Sequence, residues 1–319
     1  MFPFRSSAVL LARKQTLISG NGKILSASDW RFDPHCEPFT KLEYHPTLRL
    51  PQSTLKSMMT PSAQVFCNLP FTAENLKGTL IQDDAFVASF KIPETMKKVG
   101  HRVEDTTLIL ESMERMVTRL DTSVDGGDET NIDYLAEILL QICGFDHRYF
   151  RIKAMKAQQF DLFGRRCGVP DHTVILSPKG DLVLVCEDKK KVKKTEFVGK
   201  QGHLGQIMCE LLQILSLNLK KTSGPVIRNV FAVRMINYHV TCFRIDPVED
   251  TLKALVNNKT KTPPHFSENE KLTLLCSVKN PRKDYGLSLI DHTERTEACQ
   301  LLTDVRKFIL EDKQENNGL

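Results

Sequence analysis

The sequence predicts an α/β fold in which a mixed central β-sheet is flanked by helices. Two apolar runs, Val169–Ser177 and Leu182–Asp188, lie on either side of a Pro178-Lys179-Gly180 turn, which indicates a β-hairpin. Both runs are apolar on both faces, as is typical of central strands covered by helices on each side. Segments with helical apolar periodicity precede and follow this hairpin, and 319 residues with 41% hydrophobic content suffice for one large or two modest domains.

The first hundred residues have little regular patterning. Residues 1–28 contain four basic residues and no acidic one, a composition that fits a mitochondrial presequence and equally fits a disordered basic start. Residues 29–100 are rich in Pro, His and Ser, and within them we expect a strand at Asp83–Ile92. We therefore predict an N-terminal arm at residues 1–100, before a core at residues 101–250.

Two amphipathic helices open the predicted core. Apolar residues recur at helical spacing over Val103–Leu120 and again over Thr130–Cys143, and Gly144-Phe145 ends the second helix as a glycine C-cap would. Phe150–Ile152 and Phe160–Phe163 are predicted to be pieces of the first strand.

The second half of the chain continues the alternation of helices and strands. Within the core we predict a helix at His203–Leu217 and strands at Val226–Val233 and His239–Ile245. Residues 251–319 are predicted to form a mainly helical C-terminal extension. Its predicted elements are a helix from Ser267 to Val278 that opens with a Ser267–Glu270 capping box, a strand at Tyr285–Ile290 and a helix at Thr293–Glu311.

The register of the hairpin brings chemically active side chains together at its open end. Centring the turn on Lys179 places Asp171 opposite Glu187. Because side chains alternate with period two, Asp171, Glu187 and Lys189 then share one face of the sheet. Two carboxylates and one ammonium group are thus predicted at a single rim.

This arrangement resembles a known motif. Pro170-Asp171, followed after fifteen residues by Glu187-Asp188-Lys189 at the end of an apolar strand, is similar to the signature of the PD-(D/E)XK nuclease superfamily. The resemblance covers roughly residues 130–246 and implies an αβββαβ core like that of restriction endonucleases and Holliday-junction resolvases. It also implies a metal-dependent nuclease whose catalytic residues are Asp171, Glu187 and Lys189.

The resemblance further implies a divalent metal site. Hard oxygen ligands suit Mg²⁺ or Mn²⁺, and Asp171, Glu187 and the backbone carbonyl of Asp188 would supply them. Members of the superfamily carry a further acidic residue on the helix closed by Gly-Phe, which places Asp133 in that role, with Glu137 as the alternative. Lys189 would orient the attacking water or stabilise the charge that develops on the phosphate.

A basic segment surrounds these carboxylates and favours nucleic acid as the partner. Residues 146–203 contain thirteen Lys or Arg and seven Asp or Glu. Such a surplus attracts a polyanion, and we expect DNA rather than RNA, although a solvated lysine run is the alternative. On the helix after the hairpin the superfamily often has a Gln, here Gln206 or else Gln201. The predicted nucleic-acid-binding residues are Arg165, Arg166, Lys190, Lys191, Lys193, Lys194 and Gln206.

Other readings of the same residues remain open. The chain could be an inactive nuclease-like module that binds nucleic acid or protein, or a structural protein in which Asp171 and Lys189 form only a surface pair. Cys167 and His172 could also form a nucleophile and base. The nine dispersed cysteines form no C-x-x-C pair, and no apolar run is long enough for a membrane span. We therefore expect an intracellular protein without a membrane partner, in the nucleus or the mitochondrion.

Overall fold

The computed structural model describes most of the predicted core and parts of both flanks. The described residues are 36–50, 59–70, 106–124, 128–146, 149–153, 160–162, 165–167, 172–176, 180–189, 193–219, 229–257 and 266–317. Their strands are β1 (Thr40–Tyr44), β2 (Phe150–Lys153), β3 (Phe160–Leu162), β4 (Arg165–Cys167), β5 (His172–Leu176), β6 (Asp181–Lys189), β7 (Val230–Ile236), β8 (His239–Asp246), β9 (Leu272–Cys276) and β10 (Leu287–Ser288).

Helices cover both sides of these strands. The helices of the described residues are α1 (Pro61–Asn68), α2 (Thr106–Val124), α3 (Glu129–Ile142), α4 (Lys194–Gly199), α5 (Leu204–Leu219), α6 (Glu249–Asn257) and α7 (His292–Asn317), with a 3₁₀ turn at Gln201–His203 between α4 and α5. None of these helices is long and apolar enough to span a bilayer.

Eight of the strands form one mixed sheet in the order β1-β9-β8-β7-β6-β5-β2, and β10 pairs with β8 beside this path. Strand β6 runs parallel to β7, and β1 runs parallel to β9, whereas the other pairs are antiparallel. The predicted α/β class, with a mixed sheet flanked by helices, is confirmed. Strands β6 and β7 lie in the interior of the sheet, which explains why their residues are buried along nearly their whole length.

The two faces of β6 contribute to different hydrophobic cores. Leu184 and Cys186 pack in the core that includes α3, whereas Val185 packs in the core that includes α5. A β-bulge between Val174 and Ile175 shifts the hairpin register near the turn, and Val183 consequently joins the α3 core rather than the α5 core. Helices α3 and α5 therefore cover opposite faces of the same strand.

The largest difference from the predicted elements lies near the C-terminus. The helix predicted at 267–278 is wrong, because Leu272–Cys276 forms the fully buried strand β9 between β1 and β8. The capping-box contacts do exist: Ser267 donates its backbone N–H and its hydroxyl to Glu270, over 2.9 and 2.6 Å. They stabilise a turn, since the continuous apolar run that follows is long enough only for a strand and is paired on both sides.

Smaller differences concern β1, β3 and β10. Strand β1, from the predicted arm, pairs with β9 at one edge of the sheet, and β3 pairs with β4 in a separate two-stranded sheet instead of extending β2. Only Leu287–Ser288 of the strand predicted at 285–290 is a strand. The predicted presequence at 1–28 and the predicted strand at 83–92 lie outside the described residues.

Candidate functional site

Strand β6 ends with Glu187, Asp188 and Lys189. This end of the strand lies next to the first turns of helices α3 and α5. Glu187 and Asp188 pair with Arg234 and Met235 of the parallel strand β7. His172 of β5 pairs with Cys186, in agreement with a hairpin centred on Lys179. The next pair in that register would join Asp171 to Glu187, but Asp171 lies outside the described residues.

On the α3 side, Asp188 meets two other potential metal ligands. One ligand atom from each of Asp133, His172 and Asp188 lies within 4.8 Å of the other two, and Nε2 of His172 is 4.0 Å from Oδ2 of Asp188. Asp188 is fully buried and His172 is 9% exposed. Within the described part of the chain, Nε2 of His172 and Oδ1 of Asp133 are buried without a hydrogen-bond partner. Two carboxylates and one imidazole are a donor set that can hold a divalent metal ion.

Helix α3 brings Asp133 to this position. Its N-cap is Asp128, whose carboxylate accepts a hydrogen bond of 2.9 Å from the backbone N–H of Asn131. The apolar residues Ile132 and Leu135 are buried in the core beneath the helix. This packing holds the second turn of α3, and therefore Asp133, next to the end of β6.

On the α5 side, Glu187 is part of a buried polar network. The side-chain amide of Gln206 donates hydrogen bonds to Glu187 and, over 3.1 Å, to Glu210. Glu187, Gln206 and Glu210 are at most 6% exposed. Glu187 also forms an ion pair with the ammonium group of Lys189. The protein itself thus provides Glu187 with an amide donor and a cation.

Lys189 connects the two sides of the strand end. Besides its ion pair with Glu187, its ammonium group donates a 2.8 Å hydrogen bond to the backbone carbonyl of Asp188. It also lies 3.4 Å from a carboxylate oxygen of Glu129 at the start of α3. The side chain is 20% exposed, so that a positive charge reaches the surface beside both carboxylates of β6.

A strained turn and a buried arginine fix the start of α5. Gln201, Gly202 and His203 have φ values of 52°, 63° and 60°, in the left-handed region. Arg234, fully buried, donates to the carbonyls of Gly202, at 2.6 Å, and Pro281, at 2.9 Å. Burial lowers the pKa of Arg234 to about 10.

His203 lies in this turn as a neutral imidazole. Burial first, and then the positive charges of Lys189, Arg234 and Lys200, lower its pKa to about 3. Its ring is 6.0 Å from that of Phe197, between centroids. A group with this pKa carries no charge near neutral pH, so His203 adds no positive charge to the turn before α5.

The structure places the remaining predicted residues in different settings. Glu137 accepts a 3.2 Å hydrogen bond from Gln141 and is not part of the Asp133–His172–Asp188 group. Gln206 is buried, and its described contacts are with protein carboxylates rather than with an open surface. Lys193 and Lys194 are exposed at the start of α4.

Four predicted nucleic-acid contacts have no described side chain. Arg165 and Arg166 belong to strand β4 and not to the loop in which the sequence placed them, and nothing further is described of their side chains. Lys190 and Lys191 lie outside the described residues.

Sequence reasoning missed His172 as a potential metal ligand although the signal was present. The predicted register pairs His172 with Cys186 and therefore puts His172 on the same face as Asp188, opposite to Glu187. Asp133 was predicted to complete a site with Glu187. In the structure Asp133 instead lies in a group with His172 and Asp188, on the opposite face of β6 from Glu187.

No family model, curated protein or solved structure matches this chain. The side chains at the end of β6 are therefore the basis on which a function is assigned.

Proposed function

We propose that this protein is a metal-dependent nuclease that hydrolyses phosphodiester bonds, with DNA favoured over RNA. The observation that carries the proposal is the position of Lys189. Its ammonium group lies next to Glu187 and on the backbone of Asp188, at the same strand end as the potential ligands Asp133, His172 and Asp188. Metal-dependent phosphodiester hydrolysis uses a metal-binding site, and a cationic group that stabilises developing negative charge accelerates it.

Each part of the strand end has a chemical task in this proposal. A bound divalent cation would polarise the phosphate and make hydroxide available near neutral pH. The carboxylates of Asp133 and Asp188, on the α3 side of β6, would position that cation and the attacking water. Lys189 would place a positive charge next to the phosphate oxygens, and Glu187 and Glu129 hold its ammonium group at the strand end.

The connectivity around the site supports the proposal. The order α3, β2, β5, β6, α5, β7 is the helix, three strands, helix and strand that the resemblance implies, with the β3–β4 hairpin and the short helix α4 inserted. The exposed residues Lys193 and Lys194 follow β6 closely and would attract a phosphate backbone toward the strand end.

Cleavage assays test the proposal directly. The purified protein would be incubated with labelled single-stranded, duplex and branched DNA and with RNA, in Mg²⁺, Mn²⁺ or EDTA. We expect cleavage that requires metal and falls by about 100-fold or more in Lys189→Met, since the variant lacks the charge at the reacting phosphate. Asp171→Ala should abolish cleavage as well, because the superfamily motif assigns it a ligand role.

Lys253→Met is the matched control, because Lys253 is an exposed lysine of α6 that pairs only with Glu249 among the described residues. Its cleavage rate should equal that of the natural protein. Cleavage that persists in EDTA, or that Lys189→Met leaves unchanged, would contradict the proposal.

A second function is favoured by one observation. Glu187 is bound by Gln206 and Lys189, so the α5 side of the strand end needs neither a substrate nor a metal ion for its stability. A nuclease-like module that binds nucleic acid or a protein without cleaving would retain this network. Metal-independent binding of DNA, with no cleavage under any of the conditions above, would select this function.

A further inference from the structure

We infer that Asp133, His172 and Asp188 bind one divalent transition-metal ion, of the Mn²⁺, Fe²⁺ and Zn²⁺ class, in preference to Mg²⁺. The catalytic role of this ion rests on the proposed nuclease function. The binding of the ion does not depend on that function. This site differs from the metal site expected from the sequence in two ways: the imidazole of His172 is a ligand whereas Asp171 and Glu187 are not, and the site lies on the α3 face of β6.

The distances are compatible with one shared ion after small side-chain rotations. The three ligand atoms lie within 4.8 Å of one another, and the His172–Asp188 distance is 4.0 Å. Ligand atoms at about 2.1 Å from one metal lie roughly 3 to 3.5 Å apart. Closing the group therefore requires movements of about 1 Å, which rotation about the χ angles of the two aspartates and the histidine can supply.

The burial of His172 is an independent indication of a ligand. The residue is nine-tenths buried, and its Nε2 atom is directed into the group without a hydrogen-bond partner among the described residues. A buried polar atom normally has a partner, because its desolvation is otherwise uncompensated. A metal ion between this nitrogen and the two carboxylates would provide one.

The charge and chemistry of the donor set select the kind of ion. Two carboxylates and a neutral imidazole carry a charge of −2, which a divalent cation neutralises. Imidazole nitrogen suits zinc, iron and other transition metals, whereas Mg²⁺ prefers oxygen ligands in octahedral geometry and retains several waters. A buried nitrogen donor therefore favours the transition metals over Mg²⁺.

Calorimetric titration of the full chain, first freed of metal with EDTA, tests the inference. We expect one Mn²⁺ or Zn²⁺ per chain at this site, and Mg²⁺ bound at least about tenfold more weakly. His172→Gln and Asp188→Asn should each weaken Mn²⁺ and Zn²⁺ by about 100-fold. The matched control is His203→Asn, which removes a buried imidazole on the α5 side. It should bind metal within about threefold of the natural protein.

Asp133→Asn provides a second route if a buried variant fails to fold, because Asp133 is only half-buried on the helix. Thermal melting in EDTA checks the fold of every variant, and added Mn²⁺ should raise the melting temperature of the natural protein but not of Asp133→Asn. Mg²⁺ binding as tight as Mn²⁺ binding, or unchanged metal affinity in His172→Gln and Asp133→Asn, would overturn the inference.

The two proposals fail in distinguishable ways. Metal binding that depends on His172, without cleavage of any nucleic acid, would sink the nuclease and leave the metal site. Mg²⁺-dependent cleavage, together with Mn²⁺ and Zn²⁺ affinities that His172→Gln leaves unchanged, would sink the metal site and leave the nuclease.

Discussion

The two helices that begin beside the end of β6 begin in different ways. Helix α3 starts at an ordinary N-cap, Asp128, that satisfies a free backbone N–H. Helix α5 follows a 3₁₀ turn whose three residues all have positive φ, and the carbonyl of Gly202 in that turn binds the buried Arg234. Positive φ at residues other than glycine is uncommon and persists only when the surrounding structure holds it in place.

The difference extends to the side chains that the helices present. The α5 side joins Glu187 to Gln206, Glu210 and Lys189 in contacts internal to the protein. The α3 side brings Asp133 toward Asp188 and the nitrogen of His172, three potential metal ligands within 4.8 Å of one another. The α5 face of β6 therefore carries a network of protein contacts around Glu187, and the α3 face has the composition of a metal-binding site.

The largest loss of stability should come from Gly202→Ala, in the 3₁₀ turn before α5. A Cβ at this position would lie 2.1 Å from the carbonyl oxygen of Pro281, and the φ of +63° is itself unfavourable for alanine. We expect the free energy of unfolding to fall by about 3 kcal/mol or more, measured by urea denaturation, because the clash and the backbone strain add.

Substitutions at two other glycines separate the effect of the clash from the effect of the backbone strain. Gly180 has a φ of +71° but open space around it, so Gly180→Ala should lose only about 1 kcal/mol. Gly199 ends α4 with open space and without a positive φ, and Gly199→Ala should raise the free energy of unfolding slightly, by about 0.5 kcal/mol. Equal losses for Gly202→Ala and Gly180→Ala would show that the contact with Pro281 is unimportant.

The next largest effect should distinguish the two adjacent carboxylates. In EDTA, Glu187→Gln should lower the free energy of unfolding by about 2 kcal/mol, because it breaks a buried ion pair with Lys189. Asp188→Asn should change it by no more than about 1 kcal/mol, because it removes a like charge beside Asp133.

Urea denaturation with and without Mn²⁺ measures both effects. The stabilisation by added Mn²⁺ should disappear in Asp188→Asn and persist in Glu187→Gln. A larger loss in EDTA for Asp188→Asn than for Glu187→Gln would mean that the two faces do not differ in the way described.

The hairpin shows how far local sequence patterns can lead. Its two strands and their pairing next to the predicted active end follow from alternation and turn chemistry, which are local properties. The face on which a partner helix lies is a tertiary property. Local patterns therefore predict that Asp133 shares a metal site with Glu187, although the packing of α3 brings it to Asp188 and His172.

The pairing of β1 with β9 at the edge of the sheet could not be predicted for a related reason. Strands β1 and β9 pair in parallel across more than 200 residues of sequence, and neither segment alternates in a way that identifies its partner. A capping-box pattern before β9 favoured a helix, but burial of Leu272–Cys276 between two strands overrides that local preference.

An effect of similar size, seen only when the pH changes, should follow from the neutral imidazole of His203 on the α5 side. His203 has a pKa of about 3 in the folded protein, against 6.5 ordinarily, so the unfolded chain binds a proton first as the pH falls. Stability is therefore lost as the pH falls through 6.5, and this one residue should contribute about 2 kcal/mol of loss between pH 7 and pH 5.

His203→Asn tests this effect, because asparagine tolerates positive φ and does not titrate in this range. Urea denaturation at the two pH values should show a smaller loss in the variant, by the same 2 kcal/mol or so. An identical loss in both proteins would show that His203 is protonated in the folded state.

The smallest effect on stability should come from the exposed lysines that follow β6. Lys193→Ala with Lys194→Ala should change the free energy of unfolding by less than about 0.5 kcal/mol, because both side chains are exposed. The same double variant should bind DNA with a slope of log affinity against log salt that is shallower by about 2, because two phosphate contacts are lost. Lys307→Ala with Lys253→Ala, two exposed or half-exposed lysines on other helices, is the matched control and should keep the slope. Parallel slopes for all three proteins would exclude Lys193 and Lys194 as phosphate contacts, and a nucleic acid would then have to approach the α3 face without them.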